Sequence, residues 1–84
     1  MQFIYPQQHA TVFLPKQLDG SKGSVIFELA HSDKDAEVYW HLDDAYVTST
    51  RYFHRLSLIP ASGKHTVTVV DNAGNTLSVS ITVE

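Results

Sequence analysis

Histidine and aspartate, two of the side chains most often used to move protons in catalysis, lie close together in the stretch AEVYWHLDD at residues 36–44. His41 follows the chain's one tryptophan, Trp40, and precedes Asp43 and Asp44. These residue types could form an active site in which an imidazole and a carboxylate act beside an aromatic ring. They could equally form a strand that ends in a turn.

Alternation along this stretch favours the strand. The apolar residues are Ala36, Val38, Trp40 and Leu42, and the residues between them are Glu37, Tyr39, His41 and Asp43. A period of two predicts a half-buried strand whose successive side chains leave opposite faces. We therefore expect Trp40 in a core and Tyr39 and His41 on the outer face, so that Trp40 and His41 do not share a pocket.

No other group of reactive residues has the spacing of a catalytic or metal site. The motifs Gly-x-Ser-x-Gly, Ser-x-x-Lys and Lys-Thr-Gly are absent, and the glycines at 20, 23, 63 and 74 favour turns over a phosphate-binding loop. Histidines are most often satisfied by a single hydrogen bond, so we expect structural or surface roles for all five. They are His9, His31, His41, His54 and His65. The sequence predicts no enzyme, no cofactor and no metal.

Composition narrows the class of protein further. The 84 residues carry six basic and nine acidic side chains, a formal net charge of −3, and no cysteine. The absence of a basic stripe disfavours nucleic acid as a partner, and no disulfide can form. No apolar run approaches the ~20 residues that cross a bilayer, so we expect no membrane insertion, and the first residues lack the pattern of a signal peptide. We expect residues 1–84 to be one domain of a longer protein.

Short alternating blocks separated by turn residues predict an all-β fold, an immunoglobulin-like antiparallel β-sandwich of about seven strands without a disulfide. The N-terminal blocks around residues 3–5 and 11–14 are expected to form one split first strand, and a polar loop is expected at 16–23. Later strands are expected at 24–30, 36–43, from 45, at 52–59, at 64–70 and at 77–83. The predicted core comprises Val25, Phe27, Leu29, Val38, Trp40, Leu56, Leu58, Val67, Val69, Val79 and Ile81.

Aromatic side chains at outward positions are the remaining functional signal. A flat ring beside polar groups can stack on a sugar or contact a peptide, although aromatic residues on a sheet surface also stabilise it by pairing across strands. The candidate binding surface consists of Tyr39, His41, Tyr46, Tyr52 and Phe53.

Several short motifs occur in an order and spacing that resemble the C-terminal domain of the penicillin-binding protein 1C family. They are Ile4-x-Pro6, Pro15, Tyr39-Trp-His-Leu-Asp, Tyr46, Thr50, Phe53-His-x-Leu-x-Leu-x-Pro60, Gly63-x-His65 and Thr68-Val-Val-Asp-x-x-Gly-Asn75. The resemblance implies a parent protein in which a glycosyltransferase and a transpeptidase precede this domain and synthesise peptidoglycan outside the cytoplasmic membrane. It implies a periplasmic location for the parent protein and does not imply catalysis by these residues.

Three functions remain open from the sequence. The first is a non-catalytic accessory domain that positions the enzyme or binds a partner, either the parent transpeptidase domain or another cell-wall synthesis protein. The second is a carbohydrate-binding module that contacts glycan strands through its exposed aromatic residues. The third is a structural repeat of an adhesin or a secreted enzyme, which the same fold would serve equally well.

Overall fold

The computed structural model describes residues 1–13 and 23–84, which form eight strands. The loop predicted at 16–23 falls, except for its last residue, outside the described ranges, as do Leu14 and Pro15. The strands are β1 (Gln2–Tyr5), β2 (Ala10–Val12), β3 (Val25–Ala30), β4 (Glu37–Leu42), β5 (Ala45–Arg51), β6 (Arg55–Leu58), β7 (Gly63–Asp71) and β8 (Thr76–Val83).

The strands form a sheet of three, in the order β1-β3-β6, and a sheet of five, in the order β2-β8-β7-β4-β5. This arrangement confirms the predicted all-β sandwich and has the strand order of an immunoglobulin-like fold. The expected split first strand is present as two strands in opposite sheets, which raises the number from seven to eight. The β2–β8 pair is parallel, whereas the prediction was antiparallel throughout.

A glutamine side chain extends the β2–β8 ladder beyond the end of β2. Ala10 lies opposite Ile81, so residue 8 would lie opposite residue 79 if β2 continued in register. The Gln8 amide occupies that place: its Oε1 accepts from the Ser80 N–H at 2.6 Å and its Nε2 donates to the Ser78 carbonyl at 3.4 Å. A side-chain amide thus bonds like the peptide group of a parallel strand and covers backbone groups at the edge of β8.

The core lies between the sheets and is centred on Trp40, which is fully buried, as the alternation predicts. The Phe3 ring meets the indole edge-on, with 6.3 Å between ring centroids. Nine residues of the predicted core are buried, and Leu56 and Leu58 are half-buried against them. Removing a core side chain as large as that of Trp40 typically costs about 3–5 kcal/mol, a large share of the stability of a domain this small.

Two turns follow directly from the local sequence. Asp43 and Asp44 join β4 to β5 with φ values of 50° and 70°, the left-handed conformation that a two-residue hairpin turn requires and that aspartate tolerates. In the β7–β8 hairpin Gly74 supplies a φ of 90°.

The strand predicted at 52–59 is shorter than expected. Tyr52 has a φ of 71°, which ends β5 and turns the chain toward the other sheet, and β6 then begins only at Arg55. Tyr52 and Phe53 therefore lie in the connection between the sheets and not in a strand.

Candidate functional site

The Trp40–His41 pair that could have formed an active site is divided by the sheet. The Trp40 indole lies in the core, while the His41 imidazole lies on the outer face of β4, half-buried, with its ring edge-on to Tyr46 at 5.7 Å between centroids. Asp43 and Asp44 form the following turn. The stretch is a strand and a hairpin turn, and its Trp and His do not share a pocket.

A chain of hydrogen bonds links Trp40 to the connection between β5 and β6. The indole N–H donates to the Thr50 hydroxyl at 2.8 Å, and that hydroxyl lies 2.8 Å from His54 Nδ1. Because Thr50 already accepts from the indole, its own proton is free to donate to an unprotonated Nδ1. Burial, assisted by the neighbouring His31, lowers the pKa of His54, which agrees with a neutral ring. His54 is thus a structural residue that joins the two sheets.

His31 and Asp71 fasten the β7–β8 hairpin to the end of β3. The His31 Nε2 donates to the Asp71 carboxylate at 2.8 Å, while its Nδ1 accepts from the Asp33 backbone N–H. The same carboxylate accepts from the backbone N–H groups of Ala73 and Asn75. The bond from His31, followed by those from Asn75, lowers the pKa of Asp71 far below its usual range.

His65 ties the β4–β5 turn to the connection before β7. Its Nδ1 lies 2.5 Å from the Asp43 carboxylate and its Nε2 lies 2.6 Å from the Ala61 carbonyl. Both ring nitrogens face acceptors, which favours the doubly protonated ring, and the bond to Asp43 raises the pKa of His65. A bond from the start of this strand back to the preceding corner is analogous to the tyrosine corner of immunoglobulin-like domains.

The histidines do not converge with carboxylates on a common point. Across residues 1–13 and 23–84, no three histidine, aspartate or glutamate side chains are arranged to hold a metal ion. Within those residues, the contacts of His31, His54 and His65 connect strands and turns to one another.

The five predicted binding residues fall into two groups. Tyr39, His41 and Tyr46 lie on the outer face of the five-stranded sheet, where β4 meets β5. A hydrogen bond to the Glu37 carboxylate raises the pKa of the Tyr39 hydroxyl. Beside them is a surface that we name the hydroxyl face, on which side chains of β7 oppose those of β8. It consists of Thr66, Thr68, Ser78 and Ser80.

The second group lies in the connection between the sheets, beside the three-stranded sheet. Tyr52 is 64% exposed and Phe53 87% exposed, and both line a shallow depression with Ile4 of β1, around the ion pair of Glu28 and Arg55. Ile26 projects from the same outer face of β3, two residues from Glu28, and is also exposed. We name this surface the apolar face, which consists of Ile4, Ile26, Tyr52 and Phe53.

Sequence reasoning missed the two isoleucines of the apolar face. Alternation in β3 already indicated that Ile26 points outward, so its exposure was a readable signal. Ile4 lies at an irregularity in the β1–β3 register, between the pairs Phe3–Leu29 and Tyr5–Glu28. No feature of the sequence indicates that irregularity.

The connection that carries Tyr52 and Phe53 is held in place on both sides. The Phe53 N–H donates to the Arg51 carbonyl at 2.9 Å, and the His54 carbonyl accepts from the Leu29 N–H at 2.9 Å. The left-handed backbone of Tyr52 costs about 1–2 kcal/mol for a bulky residue and persists only because the surrounding contacts fix it. The structure thus maintains a strained backbone that displays two aromatic rings to solvent.

Comparisons with known proteins give the family of the chain. Those with curated proteins and with solved structures gave no significant match. None of the described residues form a helix of the length and apolarity that a membrane span requires. A family model described as Penicillin-Binding Protein C-terminus Family matches residues 1–81. Because that match covers nearly the whole chain, the chain belongs to the penicillin-binding protein C-terminus family.

Proposed function

We propose that this chain is a non-catalytic accessory domain of a penicillin-binding protein, of the kind found in penicillin-binding protein 1C, and that it binds a protein engaged in peptidoglycan synthesis. In such a parent it lies outside the cytoplasmic membrane and positions the enzyme or a partner. The family match supports the parent. The surface of the domain supports the binding role.

The observation that carries the binding role is the display of Tyr52 and Phe53. A soluble domain normally covers large apolar side chains or scatters them singly over its surface. Here two consecutive residues, Tyr52 and Phe53, expose their rings from a strained backbone that is anchored by hydrogen bonds. A backbone that is already fixed loses little entropy on binding, and aromatic residues are enriched among the residues that dominate protein interfaces.

Titration calorimetry with the 84-residue chain tests this function. The chain is titrated first with the catalytic part of its parent protein and then with other proteins of cell-wall synthesis. Saturable binding to any of them is expected, with a negative heat-capacity change because apolar surface is buried. If none of these proteins binds at concentrations up to the millimolar range, the proposed function is wrong.

Glycan binding is the second candidate function, and the environment of Tyr46 favours it. Tyr46 is 59% exposed, its ring contacts His41 edge-on, and the His41 Nδ1 is buried without a hydrogen-bond partner. Rings beside hydroxyl groups are suited to sugars, and the hydroxyl face lies on the same sheet. However, Tyr52 and Phe53 line a depression with residues of the other sheet. Their rings therefore do not form one platform with those of Tyr39 and Tyr46.

Soluble muropeptides are the probe for glycan binding. Saturable amide shifts at Tyr39, His41 and Tyr46 that are lost in Tyr46→Ala would support it, with Phe53→Ala as the control that leaves them unchanged. An absence of shifts at millimolar muropeptide would reject glycan binding and leave the first function intact.

A further inference from the structure

The outer surfaces of the two sheets differ in chemistry. A sheet that faces water on one side normally alternates apolar residues inward with polar residues outward. The β7–β8 part of the five-stranded sheet follows this rule and forms the hydroxyl face, although Tyr46 and Val47 of β5 are exposed. The three-stranded sheet departs from it, because Ile26 projects outward and Ile4 lines the same depression as Tyr52 and Phe53. In the described part of the chain nothing covers this apolar face.

A charge pair lies within the apolar face. Arg55 on β6 bonds the Glu28 carboxylate on β3, directly across the strand pair, and both residues line the depression with Ile4, Tyr52 and Phe53. In protein interfaces apolar anchors contribute most of the affinity, and charged pairs beside them fix the orientation of the partner.

The position of β1 indicates which partner is nearest. Ile4 belongs to β1, an edge strand of the same sheet, and lies three residues after Met1. Three residues span at most about 11 Å, so a chain segment that precedes residue 1 leaves the domain beside the apolar face. In a penicillin-binding protein with this domain at its C-terminal side, that segment leads back to the catalytic part of the enzyme.

We propose that the apolar face docks against the preceding catalytic part of the same penicillin-binding protein chain. This inference rests on the proposed function and specifies its partner and surface. Covalent connection raises the effective concentration of the partner to roughly the millimolar range for a short linker, so a small surface is sufficient for stable docking. The strained Tyr52–Phe53 connection then has a role, because its fixed backbone presents two rings to a neighbour that is always present.

Photo-cross-linking in the intact parent protein tests the docking. A photo-reactive phenylalanine analogue replaces Phe53 in one variant, and in the control variant it replaces Phe13, which is 70% exposed and follows β2 in the other sheet. The analogue at 53 is expected to cross-link to the catalytic part of the same chain, whereas the analogue at 13 is not. A titration of the 84-residue chain with the separate catalytic part supplies a second measurement, in which Phe53→Ala weakens binding by about tenfold or more and Phe13→Ala does not.

Each other outcome overturns the inference in a recognisable way. Cross-links from position 53 between two copies of the chain would identify the apolar face as a self-association surface. Cross-links from position 53 to a different cell-wall protein would retain the proposed function and reject the intramolecular partner. If position 53 gives no cross-link while the 84-residue chain still binds the catalytic part in calorimetry, the apolar face is rejected as the docking surface and the partner is retained. Failure of the cross-link together with failure of all binding would reject the proposed function as well.

Discussion

Replacing Thr50 by valine is the sharpest test of how the buried polar chain supports the sandwich. Valine keeps the β-branched shape and nearly the volume of threonine but removes the hydroxyl. The indole N–H of Trp40 then loses its acceptor and His54 Nδ1 loses its donor, although both remain where the fold places them. The variant therefore measures the two hydrogen bonds with little change in packing.

The expected loss follows from the number of groups left unpaired. A buried donor or acceptor without a partner costs about 1–3 kcal/mol. His54 is 8% exposed and can recover part of its loss from water, whereas Trp40 is fully buried and cannot. We expect Thr50→Val to lower the free energy of unfolding by about 2–4 kcal/mol, a large fraction of the stability of a domain of this size.

Urea unfolding followed by far-ultraviolet circular dichroism measures this loss, because the signal does not depend on the environment of the indole. Thr48→Val is the matched control: Thr48 is on the same strand, opposite Trp40, and its hydroxyl makes only a 3.5 Å contact to the Ser49 carbonyl. The control is expected to change stability by less than about 0.5 kcal/mol. Equal stability of the two variants would show that the hydrogen-bond chain does not stabilise the fold.

Three further predictions concern the edge of β8 and the two histidine–aspartate hydrogen bonds. Gln8→Ala is expected to accelerate hydrogen exchange at the Ser80 amide, since that amide then lacks its acceptor; an unchanged exchange rate would refute the role of the side chain. The stability difference between the wild type and His65→Gln is expected to be largest below the ordinary histidine pKa of 6.5. It is expected to disappear as the pH rises through the raised pKa of His65 in the folded state. Urea midpoints that differ equally at every pH would contradict this prediction. Asp71→Asn is expected to lower the urea midpoint at neutral pH. The difference from the wild type is expected to shrink below the ordinary carboxyl pKa of 3.8, because Asp71, whose pKa is lowered in the folded state, stabilises the fold only while it is ionised. A difference that does not depend on pH would contradict this prediction.

Alternation was sufficient to predict the strands that face a core on one side. In β4, β7 and β8 the burial of each side chain is dictated by which sheet face it leaves, so the sequence period of two identifies both the strand and the position of Trp40. The turns at Asp43–Asp44 and at Gly74 were also readable, because few residue types tolerate a positive φ.

The connection at Tyr52 could not be predicted in the same way. Tyrosine carries no signal for a left-handed backbone, and residues 52–59 alternate well enough to predict one continuous strand. Tertiary contacts, including the bond between the His54 carbonyl and Leu29, hold the chain in its turned form. The aromatic pair was therefore predicted as a surface feature, but its place on the three-stranded sheet was not.

The hydrogen-bond partners of the histidines could not be predicted either, because they depend on the order of the strands in the sheets. His31 bonds Asp71 across a separation of 40 residues, and His65 bonds Asp43 across 22. Local patterns cannot indicate such pairs until the strand order is known. The general expectation of structural roles agrees with the contacts of these histidines, but the particular bonds required coordinates.

The most direct test of the proposed docking surface is a map of amide shifts in the ¹⁵N-labelled 84-residue chain as the catalytic part of its parent is added. Docking through the apolar face predicts saturable shifts at Ile4, Ile26, Tyr52 and Phe53, with the amides of the hydroxyl face unchanged. Shifts concentrated instead at Tyr39, His41 and Tyr46, or no saturable shift at any amide, would contradict it.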